Sequence, residues 1–193
     1  MSTDELIDIL KRHGVALAEG LSNSELDEIE KRYCFRFPPD LRSLLGKVTP
    51  QGNKWTDWHD PDHVINRLEW PLHGICFDIE NNGFWPEFWG ERPAQLEDAF
   101  GVAREKISKV PLLVPIYSHR YLPAEPSEPG NPIFSVYQTD VIYYGANLAD
   151  YFTNEFAPRS QHTWERPLTE FKKVAFWSWL VEDYPATTLV EEN

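Results

Sequence analysis

The segment Leu21–Leu45 constrains the fold more than any other part of the chain, because it encodes two helices and the corner between them. Ser22 is a favourable helix N-cap, and Glu25 follows it at the spacing of a capping box. The run Phe37, Pro38, Pro39 ends this first helix, since a residue before proline avoids helical backbone angles. Pro39 suits the first turn of a second helix, where its missing N–H costs nothing. The segment therefore predicts a helix–corner–helix unit.

The chain has 193 residues and a formal net charge of -13, from 31 acidic and 18 basic side chains. This length suits one domain with a substantial core. A surface this acidic disfavours nucleic acid and anionic membranes and favours a basic protein partner. We expect no nucleic-acid binding, no membrane binding and no cofactor. The first residues lack the pattern of a signal peptide, and no window approaches the ~20 apolar residues of a membrane span, so a cytoplasmic location is expected.

Patterning along the chain predicts an α+β fold, because helices come first, strands occupy the middle and helices close the sequence. We expect one domain over residues 1–193, with N-terminal helices packed on a mostly antiparallel central sheet and residues 186–193 frayed. The predicted helices are Asp4–His13, the Leu21–Leu45 pair, Pro61 to about Leu68, Ala94–Lys109, a helix capped by Asn147, and Leu168–Asp183. The predicted strands are Gly74–Phe77, Leu112–Tyr117, Ile133–Tyr137 and Val141–Tyr144, with loops at Thr49–His63, His119–Gly130 and Ala157–Pro167.

Proline, glutamate and cysteine add local predictions. Pro115 inside the strand Leu112–Tyr117 indicates an edge strand or a bulge, because proline cannot donate to a sheet. Glu30 falls on the face of its helix that is assigned to water. Cys34 and Cys76 could form one disulfide, but each lies between apolar neighbours and nothing else indicates secretion, which favours buried, reduced thiols.

Two blocks of this sequence resemble the SUKH superfamily, bacterial immunity proteins related to fungal regulators of cell-wall glucan synthesis. The first block has an acidic amphipathic helix, an apolar residue, a proline, a short spacer and an apolar helix. It comprises Glu25, Leu26, Ile29, Glu30, Phe37, Pro38, Asp40, Leu41 and Leu44. The second block runs through Asn131–Tyr137, Asp140–Gly145 and Asn147–Phe152. Phe37 stands where leucine is more usual in the family.

The resemblance implies a single-domain, non-enzymatic immunity protein. Such a protein neutralises a cognate toxin, a nuclease or another secreted effector, by occluding it. The acidic surface of this chain would steer association with a basic toxin. A regulatory scaffold like the fungal branch is the alternative that the same resemblance leaves open.

Exposed aromatic residues among acids are the expected anchors for such a partner, because aromatic side chains dominate protein–protein binding energy. On the predicted hairpin, strand alternation sends one of Tyr143 and Tyr144 outward, next to Asp140. The residues predicted to contact the partner are Trp55, Trp58, Trp85, Glu87, Trp89, Glu91, Asp140, Tyr143 and Tyr144.

A hydrolase is the remaining alternative, with two candidate sites. One is a set of carboxylates among aromatic residues, a combination that glycoside hydrolases use. The other is His59 and His63, which flank two aspartates and would bind a metal with His73 as a third nitrogen ligand. No nucleophile elbow, phosphate-binding loop or His-Glu-x-x-His pattern accompanies them, so we expect no enzymatic activity and no metal. The carboxylates are Asp78, Glu80, Glu87 and Glu91.

Overall fold

A computed structural model of the chain describes residues 2–156 and 171–184, which form an α+β fold. The α-helices in these residues are α1 (Thr3–Arg12), α2 (Asn23–Arg32), α3 (Pro39–Leu45), α4 (Pro61–Asn81), α5 (Leu96–Ile107), α6 (Leu148–Phe156) and α7 (Trp177–Glu182). The strands are β1 (Leu17–Glu19), β2 (Val48–Pro50), β3 (Leu113–Tyr117), β4 (Arg120–Pro123), β5 (Ile133–Tyr137) and β6 (Asp140–Gly145). A short 3-10 helix covers Glu87–Trp89. The predicted fold class is confirmed.

Both sheets are antiparallel. Strands β1 and β2 pair with each other, and the larger sheet has the order β3-β4-β5-β6, so each strand lies beside its neighbour in sequence. Pro115 lies in β3, an edge strand, and the register shifts between Pro115 and Tyr117. The prediction that this proline marks an edge or a bulge is therefore confirmed on both counts.

The larger sheet separates two hydrophobic cores, because successive side chains of a strand point to opposite faces. Ile133 belongs to the first core and Phe134 to the second. The first core also includes Leu10, Leu26, Leu44 and Phe152, and it takes in α1, α2, α3 and α6. The second also includes Ile75, Ala103 and Trp177, and it takes in α4, α5 and α7. Side chains from both faces of the sheet are therefore buried.

The helix–corner–helix unit forms as predicted, as α2 and α3. Ser22 Oγ accepts from the Glu25 amide, and a Glu25 carboxylate oxygen accepts from the Ser22 amide at 2.7 Å. The assignment of Glu30 to water is wrong, since only 4% of this residue is exposed. Its carboxylate accepts from the Phe37 amide at 3.0 Å and from Arg36 and Arg42 at 2.9 and 3.3 Å. A buried carboxylate on α2 thus holds the corner.

Helix α4 is the largest departure from the sequence prediction. It was expected to end near Leu68 and to be followed by a strand at Gly74–Phe77, but it runs for 21 residues through Pro71. An interior proline leaves the carbonyl four residues before it without its helical donor. Here that carbonyl belongs to Arg67, and the Tyr121 hydroxyl donates to it at 3.0 Å. Tyr121 on strand β4 therefore supplies the hydrogen-bond donor that the Arg67 carbonyl loses because of Pro71.

Four smaller predictions are corrected. Strands β1 and β2 were not predicted, and β4 lies in the segment expected to be a loop. Of the helix predicted at Leu168–Asp183, residues 171–176 are not helical, because α7 begins at Trp177 after a left-handed Phe176 with φ 67°; residues 168–170 lie outside the described residues. Cys34 is exposed and Cys76 is half-buried; both thiols are free, and burial raises the pKa of Cys76. The predicted loop Ala157–Pro167 and the frayed tail lie outside the described residues.

The helices predicted at Ala94–Lys109 and after Asn147 are confirmed as α5 and α6. Asn147 Oδ1 accepts from the amides of Ala149 and Asp150 at 3.1 and 3.0 Å, as an N-cap does. None of the helices in residues 2–156 and 171–184 combines the length and apolar character that a bilayer span requires.

Gly74 sets how closely α4 approaches the β5–β6 hairpin. A Cβ placed on Gly74 would lie 2.6 Å from the Cα of Gln138, in the hairpin turn. Gly101 in α5 is the matched control, because a Cβ there would have no neighbouring atom within 4 Å.

We expect Gly74→Ala to lower the free energy of unfolding by about 1–3 kcal/mol, because backbone has to move to relieve the overlap. Gly101→Ala is expected to raise it by roughly 0.5–1 kcal/mol, since alanine favours an exposed helix more than glycine does. Urea denaturation of both variants measures the difference. Two variants that shift stability in the same direction would contradict the close approach.

Candidate partner-binding surface

Four large apolar side chains are exposed on helix α4 and on the β5–β6 hairpin that it packs against. Trp70 is 45% exposed and Phe77 is 47% exposed, both on α4. Tyr137 at the end of β5 is 57% exposed, and Ile142 on β6 is 47% exposed. We call these four residues the junction patch. Exposed aromatic and aliphatic groups on neighbouring elements are candidates for an interaction surface.

Polar contacts fix α4 to the β5–β6 hairpin. Trp70 Nε1 donates to the Val136 carbonyl at 3.3 Å. The Asp78 carboxylate accepts from the Thr139 amide at 2.8 Å and from the Thr139 hydroxyl at 2.5 Å. Because regular elements held in this way keep their side chains in place, the patch is preorganised for contact.

Acidic side chains border the junction patch. Tyr137 pairs with Asp140, and Ile142 pairs with Ser135 two positions further along, so Tyr137, Asp140 and Ile142 share one face of the hairpin. Glu69 precedes Trp70 on α4, and Glu80 follows Phe77 by three residues. All three acids are exposed. Apolar side chains with acidic residues around them complement a partner whose binding surface has an apolar centre and basic residues at its edge.

Tyr143 and Tyr144 lie on opposite faces of the sheet, as alternation predicts, but neither points into open solvent. Tyr143 stacks on Phe171, with 4.2 Å between ring centroids. Its hydroxyl is 2.7 Å from both Ser178 Oγ and Glu182 Oε1, and burial raises its pKa well above the usual value. The Arg120 guanidinium lies 3.7 Å from the centre of the Tyr144 ring. Both tyrosines thus serve packing, and the expectation that one projects outward is wrong.

Three of the predicted tryptophans are buried. Trp55, Trp58 and Trp89 are each 7% exposed. Trp55 packs edge-on against Tyr117, Trp58 against Phe37 and Trp89 against Phe84. Their burial corrects the expectation that these indoles meet a partner at the surface. No local pattern distinguished Trp55 and Trp58 from exposed tryptophans, because the aromatic partners named for them lie 62 and 21 residues away in sequence.

The remaining predicted contact residues lie at or near the surface. Trp85 is half-buried, and its Nε1 donates to the Gly90 carbonyl at 2.8 Å. Glu87 is the first residue of the 3-10 helix and Glu91 lies two residues after its end; both are exposed. Asp140 is the predicted residue that borders the junction patch. The patch residues themselves were missed, although alternation along β5 and β6 contained a signal for Tyr137 and Ile142.

The carboxylates proposed for a hydrolase do not share one environment. Asp78 is buried, with 3% exposure, and its oxygens accept from Thr139 and Asn82. Glu80, Glu87 and Glu91 are exposed. Asp78 therefore has a structural role, because its hydrogen-bonding capacity is used by the fold.

The histidines proposed as metal ligands are also separated. Asp60 caps α4 by accepting from the Asp62 and His63 amides at 3.1 Å. His73 lies ten residues after His63 on the same helix, about 15 Å along its axis, and is 3.8 Å from Glu69. Within residues 2–156 and 171–184, no three His, Cys, Asp or Glu side chains are grouped to hold a metal ion.

His59 and His63 instead line a cavity of about 540 Å³ between α3, β2, the start of α4 and β3. The apolar part of its wall includes Leu44, Trp55 and Ile116. The Nε2 atom of His63 is buried there without a hydrogen-bond partner among the described residues.

Comparisons of the chain with protein-family models, with curated proteins and with solved structures found no match.

Asp78→Ala is expected to lower the free energy of unfolding by about 2 kcal/mol or more, because the Thr139 amide and the Asn82 side chain lose their acceptor. Glu80→Ala, two residues away and exposed, is the control and is expected to have little effect. Urea denaturation compares the two. An Asp78→Ala protein as stable as the wild type, or more stable, would indicate a carboxylate kept for chemistry and not for the fold.

Proposed function

We propose that this chain is a non-enzymatic, cytoplasmic immunity protein of the SUKH type that neutralises a cognate toxin by occluding it. The observation that carries the proposal is the junction patch, four exposed large apolar side chains on α4 and on the hairpin bonded to it, with acidic residues beside them in sequence or register. The sequence resemblance supplies the class of partner. The patch supplies a surface with the properties of a protein-binding site.

The chemistry of the junction patch suits a tight complex. Tryptophan and tyrosine are the residues most often found to dominate binding energy, and Trp70 and Tyr137 are both about half exposed. Because Trp70 is already held by its bond to Val136, less conformational entropy is lost when a partner covers it. The net charge of -13 would attract a basic toxin and mimic the phosphates that a nuclease grips.

Inhibition by occlusion needs one molecule of inhibitor for each toxin. We therefore expect co-expression of this chain to rescue cells from the toxin encoded beside it, and the purified pair to form a stoichiometric complex. Titration of toxin activity measures the ratio, with complete inhibition at one equivalent. Full neutralisation by far less than one equivalent would show turnover and contradict the proposal. A stable complex with a non-toxic partner would instead support the regulatory alternative.

Truncating the junction patch tests the surface itself. Tyr137→Ala with Ile142→Ala is expected to weaken toxin binding by about 2 kcal/mol, or about thirtyfold, with unchanged stability because both side chains are exposed. Ile65→Ala is the control, since Ile65 is 42% exposed on α4 but lies about 140° around the helix from Trp70. Surface plasmon resonance measures both. Equal losses in the two variants, or none in the first, would place the interface elsewhere.

The salt dependence of binding separates long-range electrostatic attraction between the two proteins from the contacts made in the bound complex. High salt is expected to slow association by about tenfold or more and to leave dissociation nearly unchanged, because exposed charges act mainly on the encounter. The same kinetic experiment measures both rates. Association that is independent of salt would remove the electrostatic part of the proposal.

A further inference from the structure

The cavity of about 540 Å³ that His59 and His63 line is separate from the junction patch, since no residue of the patch lines it. Its volume falls within the range of small-molecule sites. The wall comes from α3, β2, the segment before α4, the first turn of α4 and β3. Because these segments are distant in sequence, the cavity is a product of the tertiary fold.

Hydrogen bonds between separate segments hold the wall of the cavity in place. The Thr56 amide donates to the Ile116 carbonyl at 3.3 Å, and the Thr56 hydroxyl donates to the Pro115 carbonyl at 3.2 Å. The Gln51 amide donates to the Ala16 carbonyl at 2.8 Å. A wall that is fixed before binding costs little conformational entropy when a ligand enters.

Two tryptophans line the cavity, and their rings are packed against the protein. Trp55 stacks on Phe156 with 5.7 Å between ring centroids, and Trp58 meets Phe37 edge-on at 4.9 Å. Each tryptophan is only 7% exposed. This leaves too little ring surface for a sugar to stack on, so the indoles offer a ligand mainly their N–H groups.

The indole N–H groups of Trp55 and Trp58 have no acceptor in the described part of the chain. The tryptophan N–H bonds found there belong to Trp70, Trp85 and Trp177, which donate to backbone carbonyls. A largely buried indole N–H normally has an acceptor. Because Trp55 and Trp58 both line the cavity, an oxygen of a bound molecule can fill this role.

The remaining lining residues indicate the charge of the ligand. None of them is a lysine or an arginine, and the one carboxylate among them belongs to Asp57. Its Oδ1 already accepts from the His59 amide at 3.0 Å. Leu44 and Ile116 add apolar surface to the wall. In a chain with a net charge of -13, such a wall disfavours anions and suits a neutral molecule.

We propose that this cavity binds a small neutral molecule that has an apolar body and a carbonyl oxygen, of the chemical class of acylated amides. The N–H groups of Trp55 and Trp58 donate to the carbonyl oxygen, and Leu44 and Ile116 contact the apolar body. Binding here requires no toxin, so its outcome is independent of the proposed immunity function.

Nuclear magnetic resonance of the indole N–H groups tests the site, with N-acetyl-leucinamide as the probe. The signals of Trp55 and Trp58 are assigned by the Trp55→Phe and Trp58→Phe variants. We expect both signals to shift and to saturate, with a Kd on the order of millimolar for a probe of this size. Trp85 and Trp177 are internal controls, because their N–H groups are already bonded to carbonyls, and their signals should stay in place.

N-acetyl-leucine tests the predicted charge, since it differs from the probe by an ionised carboxylate in place of the neutral amide. We expect it to bind at least several-fold more weakly, because no cationic side chain lines the cavity. Equal or tighter binding of this anion would overturn the assignment of a neutral ligand.

A pair of variants assigns the binding to the indole donors. Trp58→Phe keeps an aromatic ring and removes the N–H, so it is expected to weaken binding about fivefold, the effect of one hydrogen bond. Trp85→Phe makes the same change outside the cavity and should bind as the wild type does. Wild-type signals of Trp55 and Trp58 that do not move, or that move together with those of Trp85 and Trp177, would overturn the proposal. So would a folded Trp58→Phe protein that binds the probe as tightly as the wild type.

Discussion

The bond between the Asp78 carboxylate and Thr139 is the interaction on which the rest of this structure depends. It joins the last turn of the longest described helix to a hairpin turn 61 residues later in sequence. A buried carboxylate that accepts from a backbone amide is worth more than a neutral bond, and its loss leaves that amide unpaired. Gly74, one turn earlier on α4, lets the helix backbone approach the turn at Gln138 closely. Trp70, one further turn earlier, donates from Nε1 to the Val136 carbonyl. Together these residues position the junction patch.

The proline inside α4 is tolerated for a related reason. A proline in a helix interior normally costs about 3 kcal/mol, partly because a carbonyl loses its donor. Tyr121 supplies that donor from β4. This hydrogen bond also attaches α4 to the sheet. The helix can therefore continue past Pro71 and carries both Trp70 and Phe77.

What the sequence predicts well is local. Ser22 and Glu25 are three residues apart, Asn147 caps the helix that follows it, and the β5–β6 hairpin has alternating apolar strands around a short turn. Each signal lies within a few residues of the structure that it specifies. The same locality made the helix–corner–helix unit and the edge position of Pro115 predictable.

What the sequence does not predict depends on partners far along the chain. Pro71 indicates a helix end because the hydroxyl that compensates for it belongs to Tyr121, 54 residues after the Arg67 carbonyl to which it donates. Asp78 was predicted to be a free carboxylate for the same reason, because its partner Thr139 is far away in sequence. Trp55 was predicted to be exposed because its sequence neighbours are polar, but it packs against Tyr117 and Phe152. Glu30 lies among charged residues of α2, yet it is buried, because its carboxylate accepts hydrogen bonds from Phe37, Arg36 and Arg42 around the corner. Tertiary contacts of this kind override local propensity and pattern.

Hydrogen exchange at the Thr139 amide, followed by NMR, tests the clamp between α4 and the hairpin most directly. A turn amide in contact with water exchanges quickly, whereas one held by a buried carboxylate exchanges only when that contact opens. We predict slow exchange, with an opening free energy close to that of global unfolding. Exchange at the rate of an unstructured peptide would contradict the clamp and, with it, the preorganised surface that the proposed function requires.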